Sequence, residues 1–166
     1  MAVAEKILVD LQLALGEGSV EYIPDITMIQ RWVAAAIDDG IKEEVGDAQI
    51  TVRVVDEKEI SQLNESFRHK AGATNILSFP FVPPPGISAD ETFNSLGDLA
   101  VCATVVNSEA RDQGKENIAH WAHMIVHGTL HLLGYDHQDN EEAFEMESLE
   151  TKIVSELGYP DPYKEI

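Results

Sequence analysis

Three histidines late in the chain have the residue type and the spacing of a metal site. His131 and His137 follow His127 by four and ten residues. On a helix, residues four apart lie on one face about one turn apart, so His127 and His131 can hold one ion. Gly134 falls where such a helix would end, and a left-handed glycine there would turn the chain back and bring up His137. The pattern predicts zinc with three protein ligands and one open position, as in catalytic zinc sites.

A simpler interpretation is that these histidines are buried core residues with hydrogen-bonding partners. A lone histidine on a buried helix usually has that role, and a pair four residues apart is weak evidence for a metal. The pair, the glycine and the third histidine together favour the metal site, because neutral imidazole is the commonest metal ligand in proteins.

The same spacing coincides with the metzincin zinc-protease pattern, H-E-x-x-H-x-x-G-x-x-H, at every metal position. In that pattern a glutamate directly follows the first histidine and takes a proton from zinc-bound water. Gly128 occupies this position here. The missing carboxylate argues against peptide hydrolysis, so a metal-dependent peptidase is the third hypothesis for the function.

The segment that carries the histidines is predicted to be a central, buried helix. It has Asn117 as a candidate N-cap and is apolar on nearly every side up to Leu133, which is typical of a helix surrounded by other elements. Its polar exceptions share one face at spacings of three, four and four: His120, His123, His127 and His131.

Four strands and four further helices are expected around this helix. Apolar patterns predict strands at residues 7–13, 50–54, 74–79 and 99–103. Apolar stripes predict helices at residues 27–40, 56–63, 104–113 and 140–157, and their candidate caps include Thr27, Asp56 and Asn140. The other segments predict a basic turn at 67–70, a long Pro-rich surface loop at 81–97 and a frayed tail at 159–166.

The composition limits the class of protein. With 166 residues, 44% of them hydrophobic, the chain is expected to form a single domain over residues 1–166. No apolar run reaches the roughly 18 residues of a membrane span, and the first residues lack signal-peptide features, so a cytoplasmic location is expected. The single cysteine, Cys102, is expected to be a buried small hydrophobe.

The formal net charge of −19 argues against non-specific attraction to nucleic acids or to anionic lipid. A role in nucleic-acid binding therefore requires a local basic patch, and only 11 Lys and Arg residues are available to build one. The run from Phe67 to Lys70 is such a patch.

The run from His120 to His137, HWAHMIVHGTLHLLGYDH, resembles the signature of the YbeY family of bacterial rRNA maturation factors and single-strand-specific endoribonucleases. The resemblance extends to the runs Phe67–Lys70, Thr74–Pro80 and Gly97–Leu99, and it covers the chain from about Leu63 to Gly158. The histidine run is highly specific, whereas the first 60 residues resemble the family only in the order of their elements.

The resemblance implies an α+β fold in which a mixed four-stranded sheet packs with about five helices around the histidine-bearing helix. It implies one zinc ion on His127, His131 and His137 and a functional arginine at Arg68. It also implies partners, namely ribosomal RNA, the small ribosomal subunit and, in some bacteria, the GTPase Era. Neither DNA nor a membrane is expected as a partner.

Arg68 is the candidate catalytic residue. Its planar donors match phosphate oxygens, so it would clamp a phosphate or stabilise charge in the transition state. The alternative is a structural ion pair, which is common in so acidic a chain. The adjacent His69 and Lys70 would add general electrostatic attraction, or simply form a solvated turn.

Three further residues have two interpretations each. His123 would either shuttle a proton or form a buried hydrogen bond, and the buried hydrogen bond is preferred. Asp136 would either orient an imidazole from outside the ligand set or cap the turn. Asp98 has the same ambiguity as Asp136. No residue stands out as a general base.

Two functions of different classes lead the hypotheses. The first is a zinc-dependent, single-strand-specific endoribonuclease that acts in rRNA maturation and ribosome quality control. In it, zinc-activated water attacks phosphorus, or the metal polarises a phosphoryl oxygen while the 2′-hydroxyl of the RNA attacks. The second is a non-catalytic, zinc-stabilised ribosome assembly factor, which the missing base and the negative charge favour.

Overall fold

A computed structural model describes residues 7–16, 18–41, 47–82, 85–86 and 95–163, in which four strands and five helices occur. The mixed α+β fold is therefore confirmed. In chain order the elements are β1 (Ile7–Ala14), α1 (Ile26–Gly40), β2 (Ala48–Val55), α2 (Glu57–Arg68), β3 (Ile76–Pro80), β4 (Ser95–Cys102), α3 (Ala103–Asp112), α4 (Asn117–Leu132) and α5 (Asn140–Glu156). None of the helices in this part of the chain combines the length and apolar character that a membrane crossing requires.

The sheet has the strand order β1-β2-β4-β3, with β1, β2 and β4 parallel and β3 antiparallel at the edge. Its two faces pack against different helices. Ile50, Leu99 and Val101 face the main core, which contains α1 and α4, while Leu77 and Cys102 pack with α2 on the other face. Burial raises the pKa of the Cys102 thiol, so this residue is the small buried hydrophobe that its sequence context predicts.

Helix α4 is the centre of the main core. Trp121, Ile125, Val126 and Leu130 are fully buried on it, which confirms the prediction of a central helix. Each such side chain contributes about 1.5–3 kcal/mol through burial, so the helix is held in place along most of its length.

Gly128 lets α4 approach the sheet closely. A Cβ atom at this position would lie 2.7 Å from Cδ1 of Ile76 and 2.9 Å from Cδ2 of Leu99. The backbone carbonyl of Gly128 also accepts a hydrogen bond of 3.2 Å from Oγ of Ser78 in β3. The helix face that carries Gly128 is therefore seated on the two strands.

An N-cap was predicted for four helices, and in three of them the observed N-cap is a different residue. Asp25 caps α1 in place of Thr27, and Asp139 caps α5; each carboxylate accepts the N–H three residues later. Helix α4 follows Glu116, without a side-chain cap, and Asn117 is its first helical residue. At α1 and α5 a second residue suited to capping lies one or two positions away, so the pattern alone selects the wrong one. Asp56 caps α2 as predicted.

Two predicted irregular segments are partly regular. Helix α2 continues through Phe67 and Arg68, so only the second half of the predicted basic turn is irregular, and it begins at left-handed His69 with φ 57°. Strand β4 begins at Ser95, so the predicted loop at 81–97 is shorter than expected. The rest of that loop lies largely outside the described residues, which there include only 81–82 and 85–86.

The prediction of a frayed tail from residue 159 onwards is wrong for residues 159–163. The Tyr159 ring contacts that of Trp32 at a centroid distance of 6.2 Å, and Lys115 Nζ donates a 2.6 Å hydrogen bond to the carbonyl of the buried Pro162. Apolar and hydrogen-bonding contacts therefore hold this segment against the core. Residues 164–166 lie outside the described residues.

Gly97 explains why the sequence at the start of β4 lacks the apolar pattern of a strand. Its φ is +134°, and a Cβ there would lie 2.2 Å from the carbonyl oxygen of Phe79 and 3.0 Å from the N atom of Phe81. The backbones of β3 and β4 thus meet where only glycine fits.

We predict that Gly97→Ala destabilises the chain by about 3 kcal/mol or more, because backbone strain and the clash with backbone atoms both add to the cost. Gly72→Ala is the matched control, since Gly72 also has a positive φ, +95°, but open space around a Cβ. The control should cost about 1 kcal/mol from strain alone. Urea denaturation of the three proteins measures both values, and equal costs would contradict the close approach at Gly97.

Candidate metal centre

The three predicted metal ligands lie together at the C-terminal end of α4. The Nε2 atoms of His127 and His131 are 3.2 Å apart. The ring centroid of His137 lies 5.2 Å from that of His131 and 6.0 Å from that of His127. One nitrogen atom of each ring lies within 4.8 Å of the others, so the three side chains are close enough to share one ion.

The turn after α4 has the conformation that Gly134 predicts. Gly134 has φ +103°, and the N–H of Tyr135 donates to the carbonyl of Leu130 at 3.1 Å, which closes the helix end. The hydroxyl of Tyr135 donates to the carbonyl of Gly40 in α1 at 3.0 Å. The turn that presents His137 is therefore attached to both helices.

Asp136 shapes this turn through the backbone. Its Oδ1 accepts a hydrogen bond of 2.8 Å from the N–H of His137. No hydrogen bond to an imidazole is found for its carboxylate among the described residues. The geometry corresponds to the turn-capping interpretation, and Asp136 acts on the site through the position of His137.

Hydrogen bonds determine which nitrogen of two ligands carries the proton. Nδ1 of His127 lies 2.9 Å from Oε2 of Glu150, and Nδ1 of His131 lies 2.9 Å from the carbonyl oxygen of Tyr135. Both partners are acceptors when Glu150 is ionised, so we assign the proton to each Nδ1. Each Nε2 then has a free lone pair directed at the shared space.

This arrangement fits a metal ion. The lone pairs on the Nε2 atoms of His127 and His131 would repel each other across 3.2 Å. A cation between the two atoms would attract both lone pairs. Nitrogen ligands about 2.0–2.1 Å from a tetrahedral ion would lie about 3.3 Å apart, close to the distance observed. Burial and the neighbouring His127 and His137 lower the pKa of His131, which favours the neutral form that a ligand needs.

Glu150 is the residue of the site that the sequence analysis did not identify. It lies in α5, is fully buried, and accepts hydrogen bonds from Nε2 of His123 at 2.6 Å, Nδ1 of His127 at 2.9 Å and the hydroxyl of Tyr163 at 2.5 Å. Burial alone would raise the pKa of this carboxyl, but the hydrogen bonds from His123 and His127 lower it to about 2. Glu150 is therefore an ionised carboxylate inside the protein.

A signal for Glu150 was present in the sequence. Met146 and Ile153 define the buried face of α5, and Glu150 lies four residues after the first and three before the second. A carboxylate on an apolar stripe requires buried partners, because an unpaired buried charge is strongly unfavourable. The four histidines on α4 are the obvious partners for such a group.

A second group of close ligand atoms consists of His123, His127 and Glu150. Its distances of 2.6 and 2.9 Å from nitrogen to oxygen are hydrogen-bond lengths, shorter than the roughly 3.3 Å expected between two ligands of one ion. Burial lowers the pKa of His123, which therefore donates as a neutral ring. The geometry corresponds to the buried hydrogen bond that we preferred for His123.

Arg68 does not join the histidines. It is exposed at the end of α2, on the other face of the sheet, and within the described residues no hydrogen bond or ion pair connects it to them. It also forms no ion pair with another described residue. His69 and Lys70 are exposed beside it, and Asp98 is exposed on β4 opposite Phe79.

Gly128 explains the absence of the metzincin glutamate in physical terms. The position faces β3 and β4, where the side chains of Ile76 and Leu99 fill the space that a larger residue would need. A glutamate there would displace packed side chains on a buried helix face. This site therefore has no carboxylate in the position that the protease pattern requires.

Comparison with known proteins identifies the family. The model of the family described as endoribonuclease YbeY matches residues 19–158. A protein named endoribonuclease YbeY from Psychromonas ingrahamii is 49% identical over 158 residues, which cover 95% of this chain and 96% of that protein. One of the same name from Nitrosococcus oceani is 51% identical over 160 residues, covering 96% and 99%.

A solved structure has the same fold. The solution structure of the Thermotoga maritima protein TM1509 is 26% identical, covers 94% of this chain and 99% of its own, and has a TM-score of 0.55. Sequence and structure thus agree over nearly the whole chain. The chain belongs to the endoribonuclease YbeY family.

Proposed function

We propose that this protein is a zinc-dependent endoribonuclease that cleaves single-stranded RNA in rRNA maturation and ribosome quality control. His127, His131 and His137 would hold the zinc ion. The observation that carries the proposal is the pair of Nε2 atoms 3.2 Å apart, with a third imidazole beside them. The relatives named endoribonuclease YbeY support RNA as the substrate.

The residues of the site would have different roles in the reaction. Zinc with three histidine ligands keeps one position for water and acts as a Lewis acid. Glu150 and the carbonyl of Tyr135 hold the ligand rings in orientation through their Nδ1 atoms. Arg68 would bind a phosphate of the RNA, because its guanidinium forms no ion pair with another described residue and its fork of donors matches phosphate oxygens.

The second candidate function is a non-catalytic, zinc-stabilised ribosome assembly factor. The net charge of −19 favours it, because RNA binding requires a local excess of cations. The burial of Glu150 also favours it, since this carboxylate beside the cluster cannot contact a substrate as a general base. The packing of Gly128 against the sheet gives a peptidase no comparable support.

The partners proposed with this function are ribosomal RNA, the small ribosomal subunit and the GTPase Era, in the cytoplasm. The relatives named endoribonuclease YbeY support RNA, and the small subunit and Era are the partners that the sequence resemblance implies. The exposed Arg68, His69 and Lys70 are the proposed contact for RNA phosphates, because they form a basic group in an acidic chain.

RNA cleavage tests the proposal directly. We expect the zinc-loaded protein to cleave labelled single-stranded RNA and to leave an unfolded protein intact. His131→Ala should lower kcat/KM at least about 100-fold through loss of the metal, and Arg68→Ala about 10- to 100-fold through loss of phosphate binding. Arg31→Ala, which removes another exposed arginine, should change it by no more than about twofold.

Three outcomes would contradict this expectation. Undiminished cleavage by His131→Ala would identify a contaminating nuclease. Cleavage of the unfolded protein would favour the peptidase. Zinc binding without RNA cleavage, in a protein that still supports rRNA processing in cells, would favour the assembly factor.

Metal removal should lower the thermal stability. An ion present at 100 times its Kd adds about 2.7 kcal/mol, which corresponds to a rise in Tm of about 5–10 °C for a chain of this size. Calorimetry with a chelator and then with added zinc measures the shift. His131→Ala should lose the shift and His69→Ala, at an exposed histidine outside the cluster, should keep it; an equal shift in both would exclude the cluster as the zinc site.

A further inference from the structure

The buried carboxylate of Glu150 lies between the histidine cluster and the segment that follows α5. Its Oε2 accepts from Nδ1 of His127, and its Oε1 accepts from Nε2 of His123 and the hydroxyl of Tyr163. Both oxygens are therefore engaged by donors. With a side chain that is 0% exposed, Glu150 touches neither solvent nor substrate, so any effect on the reaction passes through another residue.

We propose that Glu150 is a positioning residue for the metal site: it keeps the proton of His127 on Nδ1 and so leaves Nε2 free to bind the ion. The inference rests on the proposed function, in which His127 is a ligand. Carboxylates that accept from the distal nitrogen of a ligating histidine fix its tautomer, orient its ring and increase its basicity.

The alternative tautomer shows why the carboxylate matters. With its proton on Nε2, His127 would donate across 3.2 Å to the unprotonated Nε2 of His131, whose own proton is held by the carbonyl of Tyr135. The two rings would then satisfy each other, and an ion would have to displace that hydrogen bond. Glu150 disfavours this state, because its Oε1 is engaged by the donors His123 and Tyr163 and its Oε2 presents an acceptor to Nδ1 of His127.

The arrangement of donors around Glu150 also determines how the amide of a glutamine would orient at this position. In Glu150→Gln the single remaining acceptor oxygen would serve the two donors at Oε1, His123 and Tyr163. The NH2 group would then face His127, which would accept at Nδ1 and carry its proton on Nε2. This substitution keeps the size of the side chain and reverses only the chemistry that the proposal needs.

Tyr163 brings the segment after α5 into the network. Its ring contacts that of His123 at a centroid distance of 5.2 Å, and its hydroxyl donates to the oxygen of Glu150 that does not face His127. Tyr163→Phe therefore removes one donor to the carboxylate and leaves the contact with His127 in place. This variant therefore distinguishes the loss of a hydrogen bond elsewhere in the network from a change of tautomer at His127.

The first test reads the tautomers in the metal-free protein. Long-range ¹H–¹⁵N NMR of the histidine rings should show His127 protonated on Nδ1 in the unmodified chain and in Tyr163→Phe, and on Nε2 in Glu150→Gln. A proton on Nε2 of His127 in the unmodified chain would overturn the proposal without any variant. This measurement involves neither a metal nor RNA, so its outcome is independent of the proposed enzymatic activity.

The second test measures zinc affinity by competition with a chromophoric chelator. We expect Glu150→Gln to raise the Kd for zinc about 10- to 100-fold, the range typical of such outer partners. Glu147→Gln makes the same charge change at an exposed position of α5 and should change the Kd by no more than about twofold, as surface substitutions do. Tyr163→Phe should behave like that control.

Two further readouts make the second test decisive. The visible spectrum of the cobalt-substituted protein should change in Glu150→Gln, because the position and basicity of one ligand change, and circular dichroism should show that the variant is folded. Unchanged zinc affinity and an unchanged cobalt spectrum in folded Glu150→Gln would refute the positioning role. Normal zinc binding by all proteins without RNA cleavage would instead refute the proposed function alone.

Discussion

A helix that is buried on nearly every side must satisfy its polar side chains inside the protein, and the rest of the site depends on how α4 does so. Each of its four imidazoles meets an acceptor. The acceptors are Glu109 for His120, Glu150 for both His123 and His127, and the carbonyl of Tyr135 for His131. Each partner accepts from one nitrogen of its imidazole and leaves the other nitrogen of that ring without a proton. At the C-terminal end of α4, these other nitrogens of His127 and His131 lie close to a ring nitrogen of His137.

The parts of the site that sequence reasoning predicted are local in the chain. The spacing of His127 and His131 and the left-handed Gly134 are properties of one helix and its last turn, so the eleven residues 127–137 contain the information. Glu150 is different, because its contact with His127 exists only once α5 packs against α4. Its place on an apolar stripe was a usable signal, but the identity of its partners was not in the local sequence.

The same distinction explains the errors in the fold. The start of β4 was missed because Gly97 is required by the approach of β3. The contacts of residues 159–163 depend on Trp32 of α1, on Lys115 before α4 and on His123 of α4. The predicted caps of α1 and α5 were wrong for a smaller reason, since a second suitable capping residue lies one or two positions away. The position of Arg68 on the face of the sheet that carries α2 could not be read from the family motif.

The order of the network along the chain has a consequence for biosynthesis. Strand β3 has its partner only after β4 has been made, α4 then has a sheet on which to seat Gly128, and Glu150 and Tyr163 come later still. A nascent chain that stops before α5 contains all three histidines but leaves His127 without the carboxylate that lies 2.9 Å from its Nδ1. The complete hydrogen-bond network is therefore a late product of translation, and incomplete chains contain the three imidazoles without the carboxylate of Glu150.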